Sequence, residues 1–325
     1  MHSKSSPSRS IGVDLGGTKI EAALVDSDGR VLTRHRVETQ ARRGSGPVIQ
    51  DAVKAVRRCL DAEGGAAAVG IGIAGQVDRE SGVVRAAPNL RWTEVPLKQE
   101  MELALSLPVL VTNDVRAAAW GEWRHGAGVG VDDLVCLFVG TGIGGGVVSG
   151  GVMLTGAANT AGELGHTVIL HGGRKCTCPG SGCLEAYAGG WAIAARAREA
   201  CLADSVAGRP LLERAGGADA ISAESVADLG SRGDPLCLQI MEETAQYLAS
   251  GLVTAINAFN PKLVILGGGV IEGAPWLLRL VEAAASPRAL RTAAGVLSFA
   301  RATLAGDAGV VGAADMAAHR AAEKS

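Results

Sequence analysis

Three thiols and an imidazole stand close together in this 325-residue chain. Cys176, Cys178 and Cys183 share the stretch Cys176-Thr-Cys-Pro-Gly-Ser-Gly-Cys183, and His166 lies upstream in Glu163-Leu-Gly-His166. Three thiolates and one imidazole form a tetrahedral set suited to Zn²⁺, with Gly and Pro permitting the sharp turns that converge the sulfurs. Four protein ligands leave no open position, so such a metal would shape a site rather than activate water. A redox pair and unrelated loop thiols are the other readings. The remaining cysteines, Cys59, Cys136, Cys201 and Cys237, lie among apolar neighbours and read as small buried hydrophobes.

Two glycine segments could handle phosphate. Asp14-Leu-Gly-Gly-Thr-Lys19 and Gly140-Thr-Gly-Ile-Gly-Gly-Gly146 each follow an apolar run. Residues without Cβ expose consecutive backbone N–H groups, which suits polyphosphate oxygens. Asp14 could position a hydrated Mg²⁺, which keeps most of its waters and takes few carboxylates. Either segment alone also reads as an ordinary hairpin turn. Neither is a familiar nucleotide loop. Gly12 and Gly17 are followed by Thr18-Lys19, the reverse of P-loop order, and the chain continues β-rich. Gly140, Gly142 and Gly145 match a dinucleotide fingerprint in spacing, yet Val147-Val148 does not open a helix. Among carboxylates, Asp114, Glu163 and Glu185 stand out. Asp114 follows a strand directly, where an α/β fold presents residues to its ligand crevice; Asn113-Asp114 before an Ala-rich helix is also good capping chemistry.

The elements that must position these groups are read as follows. Residues 11–25 form a β-hairpin with polar residues at its tip, and Asp28-Gly29 turns the chain into Val31-Leu32. A helix begins near Pro47, with Val53, Val56 and Leu60 at helical spacing. Strands follow at 69–74 and 109–112, the second leading through Asn113-Asp114 into a helix ending about Arg124. Leu134–Val139, the glycine turn 140–146 and Val147-Val148 repeat the opening strand-glycine-strand unit. This repetition predicts two halves on one α/β plan, a glycine turn from each facing a shared cleft. Asp234-Pro235 caps a long helix carrying Leu236, Ile240, Leu248, Leu252 and Ile256, stopped by Asn260-Pro261. A strand, 262–266, then meets Gly267-Gly268-Gly269.

Composition bounds the partners. At roughly 100–200 residues per domain, the length predicts about two domains. With 47% hydrophobic and 20% charged residues, the chain is globular rather than disordered. Lys plus Arg total 31 against 33 for Asp plus Glu, giving a net charge of −2 and no global pull toward nucleic acid or an anionic membrane. Aromatics at 3% disfavour base-stacking platforms. The polar opening, residues 1–10, lacks the apolar stretch of a secretory signal, and no later run reaches the ~20 residues of a membrane span. The expected compartment is the cytoplasm.

In joint order, these motifs resemble the ROK family of sugar kinases, a branch of the actin-like ATPase (ribonuclease H-like) fold. The resemblance runs over nearly the whole chain: Asp14–Lys19, Gly72-Ile-Ala-Gly-Gln-Val-Asp78, Pro88-Asn89-Leu90, Asn113-Asp114, Gly140–Gly145, Glu163–His166, Cys176-Thr-Cys178, Gly182-Cys183-Leu-Glu185 and Leu266-Gly-Gly-Gly269. It implies an α/β protein of two domains around a cleft, a small one over 1–115 joined by a C-terminal helix, 306–325, and a large one over 116–305 holding the zinc loop. It also implies an ATP-dependent hexose kinase of carbohydrate metabolism, with glucose the first choice over N-acetylglucosamine, N-acetylmannosamine, fructose and allose. Asp14, Gly16, Gly17, Thr18, Lys19, Gly140, Thr141, Gly142 and Gly144 then correspond to ATP-phosphate contacts, and Gly267 and Gly268 to adenosine contacts, with Mg²⁺ as cofactor. Asn89, Asn113, Asp114, Glu163, His166 and Glu185 correspond to sugar contacts, Asp114 to the catalytic base, and His166, Cys176, Cys178 and Cys183 to ligands of a structural Zn²⁺. Domain closure would exclude water, and the family suggests a homo-oligomer, dimeric or tetrameric. Two departures stand out: Pro179 where the family usually has Gly, and Val115-Arg116 in place of Ala-Asn. ROK repressors carry an N-terminal helix-turn-helix, which the few residues before the first strand do not supply. A non-catalytic sugar sensor is the alternative of another class, disfavoured by the retention of Asp114 and both turns.

Overall fold

The computed structural model describes residues 9–63 and 65–323. The polar opening read as lacking a secretory signal falls, over residues 1–8, outside them. No helix among the described residues is long and apolar enough to cross a membrane. The chain divides into two units. The first holds the chain up to Gly130, the segment Thr155–Ala161 and the chain from Gly306 onward; the second holds Val131–Leu154 and Gly162–Ala305.

The first unit contains β1 (Ser10–Leu15), β2 (Lys19–Val25), β3 (Val31–Glu38), β4 (Val69–Ile73), β5 (Gln76–Val77), β6 (Val84–Ala87), β7 (Trp92–Val95) and β8 (Val109–Asn113). Its main sheet has the order β3-β2-β1-β4-β8, with β5, β6 and β7 forming a small second sheet. The β1–β2–β3 pairings are antiparallel, while β1, β4 and β8 run parallel. Alternation along β1 explains how the sheet is covered. Ile11, Val13 and Leu15 join a core with Val48, Ala52 and Val56 of the helix Ser45–Glu63. The intervening Gly12, and Gly70 on β4, meet the helix Ala308–Ala322. A Cβ would lie 1.7 Å from the Val310 carbonyl oxygen at Gly12 and 1.8 Å from that of Ala313 at Gly70. Any side chain there would push helix and sheet apart, an overpacking no rotamer relieves.

The second unit contains β9 (Leu134–Val139), β10 (Ile143–Ser149), β11 (Val152–Met153), β12 (Leu263–Gly267) and β13 (Ser298–Arg301). Their order, β11-β10-β9-β12-β13, repeats that of the first sheet, with the hairpin antiparallel and β9, β12 and β13 parallel. The repeat expected from the two glycine turns is therefore a repeat of topology. Val135, Leu137 and Val139 pack in one core with Ile240, Leu248, Leu252 and Ile256 of the helix Pro235–Phe259. The Asp234 side chain caps that helix by accepting from Cys237 N, and Asn260 ends it in the left-handed conformation. Leu236, read as a core residue, is only partly buried at the first turn.

Two sequence expectations are corrected. The chain does not divide at 115/116: the helix Asp114–His125 stays with the first unit because it packs against Ala308–Ala322, Gly312 lying where a Cβ would be 1.7 Å from the Ala117 carbonyl oxygen. Nor is 140–146 one long turn. The turn is confined to Gly140–Gly142, and Gly144, Gly145 and Gly146 belong to β10, opposite Phe138, Leu137 and Cys136.

Candidate active site

In the first unit, the parallel strands β1, β4 and β8 bring their C-terminal ends into one row. Asp14 pairs with Gly72, and Ile73 with Asn113. Ligand-binding groups of α/β sheets gather at such ends. The β1–β2 turn closes when Gly16 N–H donates to the Lys19 carbonyl at 3.0 Å, leaving Thr18 and Lys19 exposed. Gly17 abuts Asn89, whose carbonyl oxygen and Cβ would stand 3.0 and 3.1 Å from a Cβ on that glycine. Asn89 is exposed on the short 3-10 turn Pro88–Leu90.

Asp114 is not the helix cap. Asn113 takes that position, accepting from Arg116 N at 3.1 Å, while Asp114 opens the helix. Of two adjacent residues that can both cap, the first is engaged and the second is released. Asp114 Oδ1 accepts from Val115 N at 2.9 Å, and burial raises the carboxyl above its ordinary range. A Cβ on Gly72 would lie 3.3 Å from Asp114 Cα, so glycine lets the start of this helix approach β4. Asp14 is pushed up to about 6, first by burial and then by the charge of Asp114, with Lys19 and Arg36 opposing. The Asp114 charge thus adds to burial in raising Asp14, whereas Asp114 itself is raised by burial.

Arg116, one of the departures, has a defined place. It is buried and donates to the Asn159 side chain, to the Asn159 carbonyl at 2.8 Å and to the Ala161 carbonyl at 3.2 Å. Asn159 Nδ2 in turn donates to the Val77 carbonyl at 3.0 Å. Segment Thr155–Ala161 is thereby fastened to the helix that begins at Asp114. Nothing in the spacing of the sequence marks this pairing.

In the second unit, the helix Gly190–Ala203 holds the turn Gly140–Gly142 from below. Gly190 N donates to the Gly140 carbonyl at 2.9 Å and Trp191 N to the Thr141 carbonyl at 3.1 Å. Gly267 ends β12, and Gly268 has φ +86 with Val139 backbone so close that a Cβ would sit 2.6 Å from its oxygen. Glu163 is exposed and leads into the 3-10 turn Leu164–His166. That turn lies directly on β10: a Cβ on Gly165 would be 2.0 Å from the Ile143 carbonyl oxygen, and one on Gly145 2.9 Å from that of Gly162. Gly145 of β10 thus serves the close packing of this turn on the strand.

His166, Cys176, Cys178 and Cys183 each bring one ligand atom within 4.8 Å of all the others. His166 Nδ1 lies 3.6 Å from Cys176 Sγ, and Cys178 Sγ lies 3.6 Å from Cys183 Sγ. Ligands about 2.3 Å (S) and about 2.0–2.1 Å (N) from a tetrahedral zinc stand about 3.5–3.8 Å apart, so the donor set fits that ion. Pro179 leaves the geometry intact. Burial and then the neighbouring Cys178 and Cys176 push the Cys183 thiol up to about 12, while the Gly180 N–H lowers Cys178. A doubly charged cation would reverse the first effect, since coordinating thiols are deprotonated.

Glu185 is 7% exposed and has both oxygens engaged. Oε2 accepts from Ile143 N at 2.8 Å; Oε1 accepts from Thr177 Oγ1 at 3.0 Å and from Trp191 Nε1 at 3.3 Å. Sequence reasoning singled out Glu185 but neither Thr177 nor Trp191, because each is distant or unremarkable in type.

Residues 10–320 match the ROK family. Over 312 residues the chain is 35% identical to the glucokinase of Streptomyces coelicolor, covering 94% of this chain and 96% of that protein. It is 36% identical over 317 residues to the glucokinase of Thermotoga maritima, covering 95% and 97%. The crystal structure of a ROK family glucokinase from Streptomyces griseus in complex with glucose and AMPPNP superimposes with a TM-score of 0.83 at 36% identity, covering 96% of this chain and 99% of that one. The fold implied by the sequence resemblance is thus the fold found, and two topologically repeated sheets, the glycine turns and the Cys/His cluster agree with the match along the chain: the protein belongs to the ROK family.

Proposed function

We propose that the protein is an ATP-dependent glucokinase, transferring the γ-phosphoryl group of ATP to the 6-hydroxyl of glucose in the cytoplasm. The observation that carries this reading is Asp114: a half-buried carboxyl with a raised pKa directly after β8, its charge acting on Asp14, and freed from capping by Asn113. A base whose pKa has moved toward the working pH takes a hydroxyl proton more effectively than an ordinary carboxylate.

Asp114 accepts the proton of the attacking hydroxyl as the new O–P bond forms. Phosphoryl transfer otherwise asks for alignment and charge stabilisation. The backbone at Gly16–Lys19 and Gly140–Gly142, with Gly144, faces the phosphates, and Gly267 and Gly268 approach the adenosine. Asp14 would hold Mg²⁺. Magnesium supplies neutralisation of the developing phosphate charge. Asn89, Asn113, Glu163, His166 and Glu185 hold sugar hydroxyls. The cysteines and His166 Nδ1 would hold a structural Zn²⁺, and His166, oriented through that nitrogen, would have Nε2 to offer the sugar. The protein works as a homo-oligomer, a dimer or tetramer, which light scattering measures.

A coupled assay across sugars and phosphoryl donors tests the reading. ADP release dependent on glucose, faster than with N-acetylglucosamine, N-acetylmannosamine, fructose or allose, supports it. No transfer from ATP to any hexose overturns it in favour of a sugar sensor.

A further inference from the structure

Among the described residues of the second unit, Glu185 is the one buried carboxylate, and its contacts join two parts of the chain that the sequence keeps apart. One oxygen accepts from Ile143 N, the first residue after the turn Gly140–Gly142. The other accepts from Thr177 Oγ1, the residue between Cys176 and Cys178. Trp191 Nε1 donates to that same oxygen, and the Trp191 and Gly190 N–H groups hold the turn's carbonyls. The carboxylate packs under the turn itself: a Cβ on Gly142 would be 2.5 Å from Oε2.

From this geometry we propose that Thr177 is a positioning residue that couples the Cys/His cluster to the glycine turn through Glu185, so that the state of the metal loop sets nucleotide affinity directly. A buried carboxylate needs its donors, and when one is withdrawn it turns toward others. If the loop around Thr177 shifts, Oε1 loses its hydroxyl partner. The carboxylate then re-aims, and with it moves the Ile143 N–H that fixes the end of the turn. Thr177 itself is exposed, so its side chain is not required for the core.

The proposal rests on the assignment of the turn to ATP phosphates. Its test titrates AMPPNP calorimetrically, without sugar, into zinc-loaded wild type, Thr177→Val and Thr177→Ser, with zinc content measured on each. Thr177→Val keeps the shape and removes the donor. It is expected to weaken AMPPNP about tenfold, the worth of one hydrogen bond to a charged group, with one zinc per chain retained and the KM for ATP raised more than kcat falls. Thr177→Ser restores wild-type affinity. Trp191→Phe, which removes the other donor away from the metal loop, weakens AMPPNP in the same direction. Wild type that binds AMPPNP while Thr177→Val binds it equally well overturns the coupling, whatever Trp191→Phe does, and leaves the kinase reading standing. Wild type that binds no nucleotide overturns the assignment of the turn, and the coupling with it.

Discussion

The Asp14 carboxyl is held in a setting that favours its neutral form, and replacing it should make the protein more stable and less active at once. Its pKa is raised from 3.8 to about 6 by burial and by Asp114. At about 1.4 kcal/mol per pH unit, the charged form costs the folded state about 3 kcal/mol relative to the unfolded chain. The sign follows from the folded value lying above the unfolded one. The cost is absent below about pH 4, where the group is protonated in both states, grows between about 4 and 6, and is complete above about 6. Asp14→Asn removes it. The variant should therefore melt higher than wild type at pH 7.5, by about 6–12 °C at ~2–4 °C per kcal/mol, and the difference should shrink toward zero at pH 4. Lowered carboxylates elsewhere, such as Asp228 beside Arg214 and Arg232, contribute equally to both proteins and cancel. Scanning calorimetry without Mg²⁺ or nucleotide, across that pH range, reads the difference; the same variant should lose its Mg²⁺-dependent ATP affinity. A variant that melts with wild type at every pH would refute the reasoning, since Asp14 would then carry no buried charge.

Other predictions test neighbouring parts of the argument. Asp114→Asn should lower kcat by ~10²–10⁴ while sugar affinity persists, and the Asp14 pKa, measured by carboxyl NMR, should fall because the Asp114 charge is gone. Arg116→Ala leaves the Asn159 and Ala161 carbonyls without their buried donor and should cost ~2–4 kcal/mol of stability in urea unfolding. Cys178→Ala should remove zinc by metal analysis and weaken both glucose and AMPPNP binding in calorimetry.

What the sequence discloses depends on whether a feature is local. The helix Pro235–Phe259 was legible at both ends because Asp234, Pro235 and Asn260 act on the backbone within a turn of themselves. The hairpins and the convergence of His166 with Cys176, Cys178 and Cys183 were legible for the same reason, their residues being near in the chain and of types that admit few uses. Capping was nearly legible. Asn113 and Asp114 are both competent caps, and only the fold decides which one is engaged. The boundary between units was not, because it rests on a helix contact at Gly312 and on Arg116 reaching Asn159.

Glycine marks the deeper limit. A glycine can be required by a positive φ, by a ligand that must touch the backbone, or by another segment of protein that must do so, and the three leave the same letter. Gly268 is of the first kind, with φ +86. Gly145 and Gly165 are of the third, since β10 and the Leu164–His166 turn meet there at backbone distance. Reading Gly140–Gly146 as one turn merged the turn Gly140–Gly142 with the packing glycines of the strand that follows. The packing glycines bring the turn Leu164–His166 to backbone distance of the strand that begins at Ile143, whose N–H donates to Glu185. A side chain at Gly145 or Gly165 would therefore disturb the turn Leu164–His166 and the start of β10 together.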